Sequence, residues 1–254
     1  TRMLIHVPHA STVIPSEVRP QFSISDAELE RELLALTDRY TDDLFSFPAE
    51  SATTIEFPIS RFVVDPERFE DDAQESMAAR GMGVIYMQGS AGQPIRHTLP
   101  SQDREALLET WYRPHWKRVE YAVDQALNAH GECLIVDAHS FPDRPLPVHQ
   151  SQYGASPTRD ICLGTDSFHT SKALVETAAA AFESHGLTVS VDNPFAGTIV
   201  PLKHLNTNDG VQSIMIEVNR RMYMNERTGE KTRSYQQVKS AMHSALLTLS
   251  SAEV

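Results

Sequence analysis

Apolar residues gather in three short runs, each of which ends on side chains able to do chemistry. Met3-Leu4-Ile5-His6-Val7 leads into Pro8-His9, Leu134-Ile135-Val136 into Asp137-Ala138-His139-Ser140, and Ser213-Ile214-Met215-Ile216 into Glu217-Val218-Asn219-Arg220. Runs of this length with β-branched residues read as buried strands. Period two places Asp137 and His139 on one face, near the strand's C-terminal end. His6 and His9 are three apart and would face opposite ways on one strand, but Pro8 breaks the strand and lets His9 turn. Shorter runs predict strands at 53–57, 62–64, 84–87 and 189–191. In open α/β sheets, ligands bind outside the carboxyl ends of the strands.

Helical spacing fills the intervals. Ser25 with Glu28 forms a capping-box signature, and Leu29, Leu33, Leu36, Tyr40 and Leu44 predict one helix reaching about residue 45. On that helix Asp38 and Asp42, four apart, share a face. A long amphipathic helix is predicted over 101–129 (Leu107, Trp111, Trp116, Val119, Val123, Leu127), kinked or split at Pro114. Further helices are expected at 171–185, stopped by Gly186, and at 231–249. Residues 66–83 read as a loop or short helix, and the proline-rich stretch 142–170 as a long functional loop. Strands alternating with helices, without a break in composition, predict one α/β domain over 1–254 with a mixed, mostly parallel sheet.

Composition narrows the function. The net charge of −12 argues against nucleic-acid and anionic-membrane partners. Cys133 and Cys162 form no CxxC pair, so neither a disulfide framework nor a cysteine zinc site is signalled, and a reducing cytoplasm is expected. No apolar stretch approaches the ~20 residues of a membrane span, and no leader pattern is present.

His9 and His139 are metal-ligand candidates, each with the alternative of a strand-end histidine bonded to backbone. Glu217 lies in an apolar strand, where a carboxylate is costly unless paired. It is either a general base or the partner of Arg220 or Arg61 in a buried salt bridge. Asp137 can orient His139 or cap the loop that follows. Arg61 and Arg220 flank motif strands and are suited to hold a substrate carboxylate bidentately. Ser140 lacks the G-x-S-x-G surroundings of a nucleophile elbow.

The ordered set His6-Val7-Pro8-His9-Ala10-Ser11, Ser60-Arg61-Phe62-Val63-Val64-Asp65-Pro66-Glu67-Arg68, Asp137-Ala138-His139-Ser140-Phe141, Asn193-Pro194-Phe195-Ala196-Gly197 and Ile216-Glu217-Val218-Asn219-Arg220 resembles the N-formylglutamate amidohydrolase family, over roughly residues 4–225. That family is similar to the zinc carboxypeptidases. The resemblance implies a phosphorylase/hydrolase-like three-layer α/β/α fold, with one zinc per chain held by His9, His139 and a carboxylate. The peptidases' carboxylate position falls on Thr12, so a substitute is needed. Asp38 is the choice, with Asp42 and Glu17 behind it. A second departure is Glu67, where relatives carry Asn before the arginine.

The implied reaction is hydrolysis of N-formyl-L-glutamate to formate and L-glutamate, of the histidine-degradation type. Glu217 would be the base and Arg61 the oxyanion-stabilising arginine. Arg61, Arg68, Arg220, Asn193 and Asn219 would surround the anionic substrate. The alternatives are an amidohydrolase for another N-acyl amino acid, or a non-catalytic binding protein on the same fold.

Overall fold

The structure is a computed structural model that describes residues 1–152 and 159–252. Its centre is a six-stranded sheet of β1 (Met3–Val7), β2 (Thr53–Glu56), β3 (Cys133–Phe141), β4 (Ile161–Gly164), β5 (Val189–Val191) and β6 (Val211–Asn219), in the order β2-β1-β3-β6-β4-β5. β2, β1, β3 and β6 run parallel, and β4 joins β6 antiparallel, so the sheet is mixed and mostly parallel as expected. The chain moves outward from β1 to β2, then returns to the other side of β1 to form β3. The carboxyl ends of β1 and β3 therefore flank the point where strand order reverses, which in such sheets opens a crevice.

Helices cover both faces. The α-helices among the described residues are α1 (Asp26–Leu36), α2 (Thr41–Leu44), α3 (Ser101–Leu107), α4 (Arg113–His130), α5 (Lys172–Glu183) and α6 (Tyr235–Ser251). Met3, Ile5 and Val7 of β1, with Leu134, Val136 and Ala138 of β3 and Ile214, Ile216 and Val218 of β6, share a core with residues of α5 and α6. The alternate positions Leu4, Cys133, Ile135 and Val211 share a core with Val119, Val123 and Ala126 of α4. By the same alternation His6, Asp137, His139 and Glu217 belong to the α4 face. A third core lies in the segment between β2 and α3, including Phe57, Phe62, Val64, Tyr86 and Ile95.

Several elements differ from the sequence reading. The first helix stops at Leu36, and Thr37 through Tyr40 form a turn in which Tyr40 is left-handed, with φ 70. The turn is held from outside, because the Asp38 amide donates to the His9 carbonyl at 3.0 Å. Asp38 and Asp42 therefore do not share a helical face. Residues 62–64 and 84–87 form turns and isolated bridges, since their apolar side chains pack against each other with no sheet edge to join. The helix from Ser101 continues past Pro114 through a π-helical segment at Leu108–Tyr112, which accommodates the missing proline N–H without a break. β4 lies inside the stretch read as a proline-rich loop. It is only four residues long and gains its place by pairing with β6. Part of that stretch, 153–158, lies outside the described residues. No described helix is long and apolar enough to cross a membrane.

Asp43 of α2 ties this short helix to α6. Its carboxylate accepts from Lys239 Nζ at 2.5 Å and from Tyr235 Oη at 2.6 Å. These bonds hold its pKa down at about 2. A carboxylate lowered by folding adds stability above its unfolded pKa and loses it as pH falls through the folded value. Asp43→Asn should cost about 1 kcal/mol at pH 7, a value reduced for the partial exposure of the pair. In urea titrations the gap between variant and wild type should close as pH falls from about 4 towards 2. A gap that stays constant across that range would show that Asp43 contributes nothing through its charge.

Candidate active site

Four chain segments bring imidazoles and carboxylates together above the crevice. β1 supplies His6 from its last turn of pleat and His9 just beyond Pro8. β3 supplies Asp137 and His139. The break after α1 supplies Asp38, and the turns after β2 supply Asp65 and Glu67. Only Glu67 retains appreciable exposure, 13% of its side chain, while His6, His9, Asp38, Asp65, Asp137 and His139 are buried.

His9 is oriented from behind. Its Nε2 lies 2.8 Å from Asp65 Oδ1, and a carboxylate can only accept, so Nε2 carries the proton. Asp65 is itself gripped by Tyr86 Oη at 2.6 Å and Arg61 Nη2 at 2.9 Å. His9 Nδ1 then points forward with no hydrogen-bond partner among the described residues, 3.7 Å from both Asp38 Oδ2 and Glu67 Oε2. His139 has Asp38 Oδ2 at 3.0 Å from Nδ1, with Glu67 Oε1 at 3.1 Å and Asp137 Oδ1 at 3.3 Å from Nε2. The other oxygen of Asp38 accepts from Arg220 Nη2 at 2.8 Å.

Electrostatically this is a cage for positive charge. Burial opposes charging His139, yet Glu67, Asp137 and Asp38 raise its pKa well above the ordinary value. Burial and Arg61 oppose charging His9, and Asp65, Glu67 and Asp38 overcome them and raise its pKa too. Burial would raise Asp38, but the two histidines and Arg220 hold it well below the usual carboxylate range. His9, Asp38 and His139 each offer a donor atom, all within 4.8 Å of one another, which is a grouping able to hold a metal ion. The orphaned, buried His9 Nδ1 fits that use. So do the outer partners, because metal-bound imidazoles usually donate their second nitrogen to a carboxylate.

Glu217 stands opposite His139 in the β3–β6 register and lines the same cavity, of about 1150 Å³. It forms no salt bridge among the described residues, and its buried Oε2 has no hydrogen-bond partner. Burial, with repulsion from Asp38, outweighs attraction by His139 and Arg220 and pushes its pKa up to about 7.

Residues 1–224 match the sequence profile of a family described as N-formylglutamate amidohydrolase. The chain belongs to that family. It is similar to the N-formylglutamate deformylase of Pseudomonas putida, 24% identical over 230 residues, covering 88% of this chain and 82% of that protein. Its fold matches the crystal structure of N-formylglutamate amidohydrolase from Ralstonia eutropha JMP134, with a TM-score of 0.82 at 22% identity, over 98% of this chain and 91% of that one. A gene product of Agrobacterium tumefaciens, Atu2144, follows at a TM-score of 0.66 and 22% identity, over 97% and 90% of the two chains.

Of the residues singled out from the sequence, His9, Asp38, Arg61, Arg68, His139, Glu217 and Arg220 all line this one cavity of the amidohydrolase fold. Asn193 and Asn219 are not among the residues lining it. Asn193 is exposed at the end of β5, and buried Asn219 caps the turn after β6 and donates to Asp143 and to the Arg159 carbonyl. The fallback carboxylates Glu17 and Asp42 are exposed. Arg220 has its donors engaged by Asp38, the Ala35 carbonyl and Ser140, so it positions Asp38. Arg68 is held more loosely, with no hydrogen bond from its Nε and two long ion pairs, to Asp65 at 3.7 Å and to Glu75 at 4.0 Å. The sequence pattern assigns no site role to His6 or Asp65, and Glu67 departs from the asparagine of the family's pattern. A histidine inside the apolar run 3–7 was the available signal for His6.

Removing Arg220 leaves the buried Asp38 carboxylate without its guanidinium partner, on the oxygen that His139 does not reach. Arg220→Met should therefore destabilise the fold by about 3–5 kcal/mol in urea unfolding. A change below about 1 kcal/mol would show that Asp38 does not depend on this guanidinium.

Proposed function

We propose that the chain hydrolyses the amide bond of N-formyl-L-glutamate, releasing formate and L-glutamate, with one zinc ion held by His9, Asp38 and His139. The observation that carries this reading is the pairing of a caged set of donors with an unpartnered glutamate whose pKa is about 7. The family membership, and the activity for which the Pseudomonas putida relative is named, support the substrate class.

Zinc at this position would supply Lewis acidity and lower the pKa of water there toward ~7. The protein groups divide the remaining work. Glu217, poised near neutrality, takes a proton from the water that attacks the formyl carbon. It then returns a proton to the glutamate nitrogen as the C–N bond breaks. Arg61, tied to Asp65 and Tyr86, presents a fixed positive charge at the cavity wall for the developing oxyanion. Arg68 is the best-placed partner for a substrate carboxylate, because it lines the cavity and its ion pairs to Asp65 and Glu75 are long. Asp65, Asp137 and Arg220 orient His9, His139 and Asp38. A non-catalytic binding protein would have Glu217 neutralised by an ion pair, and the absence of one among the described residues speaks against that reading.

The test is formate release from N-formyl-L-glutamate by purified protein, before and after chelation, with zinc measured on the same samples. Glu217→Gln should retain its zinc and lose about 10²–10⁴-fold in kcat. Arg68→Ala should raise KM by about 10–100-fold with kcat little changed, as expected for a lost charged hydrogen bond of about 1.5–3 kcal/mol. Zinc without formate release would move the substrate to another N-acyl amino acid, and no zinc binding at all would overturn the ligand set.

A further inference from the structure

The other nitrogen of His139 faces a second group of donors. His6 Nδ1 lies 3.0 Å from Asp137 Oδ1 and 3.6 Å from Glu67 Oε1. His139 Nε2 lies 3.3 Å from the same Asp137 oxygen and 3.1 Å from the same Glu67 oxygen. Two nitrogens and two carboxylate oxygens thus form a ring whose four nitrogen–oxygen edges are 3.0–3.6 Å, and one donor atom each of His6, Glu67 and Asp137 lie within 4.8 Å of one another. Four ligands around a tetrahedral zinc, with bonds of about 2.0–2.1 Å, are separated from one another by about 3.3–3.4 Å. The four nitrogen–oxygen edges bracket that spacing, and the donors have the N/O chemistry of such a site.

We propose that His6, Glu67, Asp137 and the Nε2 of His139 form a second divalent-cation position, distinct from the one on the Nδ1 side of His139. Its surroundings suit that use. His6 Nε2 lies 2.8 Å from His115 Nε2, so with Nδ1 given to the ion, the Nε2–H donates to His115 and the ring stays oriented. Glu67 is the partly exposed member and turns its other oxygen, Oε2, toward His9. It therefore connects the two positions and opens the inner one to the cavity. With both positions filled, His139 becomes an imidazolate shared between two ions, having released both ring protons.

The decisive measurement is anomalous scattering at the zinc edge from crystals of the wild-type protein soaked in zinc, with zinc per chain measured in solution. Two peaks, one on each side of His139, with two zinc ions per chain and one in His6→Gln, are expected. Circular dichroism melts of metal-free His6→Gln against metal-free wild type show whether the variant is folded, and the map on wild type stands if it is not. A single peak between His9, Asp38 and His139 overturns this proposal and leaves the proposed function standing. A single peak between His6, Glu67 and Asp137 supports the proposal and overturns the ligand set of the proposed function. No peak overturns both.

Discussion

The site is governed by the cost of placing carboxylates where water cannot reach them. Asp38, Asp65 and Asp137 are buried at the crevice edge of the sheet, and an isolated buried carboxylate would be costly or would take up a proton. Each is instead matched to imidazoles or guanidiniums at hydrogen-bond distance: Asp65 to His9 and Arg61, Asp38 to His139 and Arg220, Asp137 to His6 and His139. The matching fixes side-chain geometry as well as charge. A ring held on both nitrogens cannot rotate, so the donors are oriented before any ligand arrives. Glu217 is the exception: among the described residues it has no such partner, and burial is the largest influence on its proton affinity.

Alternation along the strands explains why these groups meet. The apolar side chains at 3, 5 and 7 of β1, 134, 136 and 138 of β3 and 214, 216 and 218 of β6 face α5 and α6, and the opposite face carries the polar groups toward the end nearest the crevice. The register His6↔Asp137 and His139↔Glu217 then sets neighbours side by side across three strands. A one-residue slip of β3 would send Asp137 and His139 into the apolar layer beneath α6, so the hydrophobic pattern that drives folding also fixes the site.

That same pattern is why much was legible in the sequence. The runs 3–7, 133–141 and 211–219 carry a local signal strong enough to predict both strand and face. The capping box at Ser25 and Glu28 marks the start of α1 from local chemistry alone, and both of its hydrogen bonds form. What stayed hidden depends on distant partners. Four residues, Ile161-Cys162-Leu163-Gly164, become a strand because β6 and β5 pair with them on either side. The turn at Thr37–Tyr40 interrupts a good helical pattern because the His9 backbone captures the Asp38 amide. Asp65 and Glu67 reach the site through an irregular segment whose shape comes from its own core, and no periodicity announces that.

The hydrogen bond from the Asp38 amide to the His9 carbonyl has a kinetic meaning as well. Two donors from distant parts of the chain are joined through their backbones, so they separate only if the α1–α2 turn lifts from the end of β1. Opening of that turn and dispersal of the donor set are then one event. The exchange rate of a single amide proton, that of Asp38, becomes an internal clock for how often the site comes apart, and any ion bound there should slow it in proportion to its affinity.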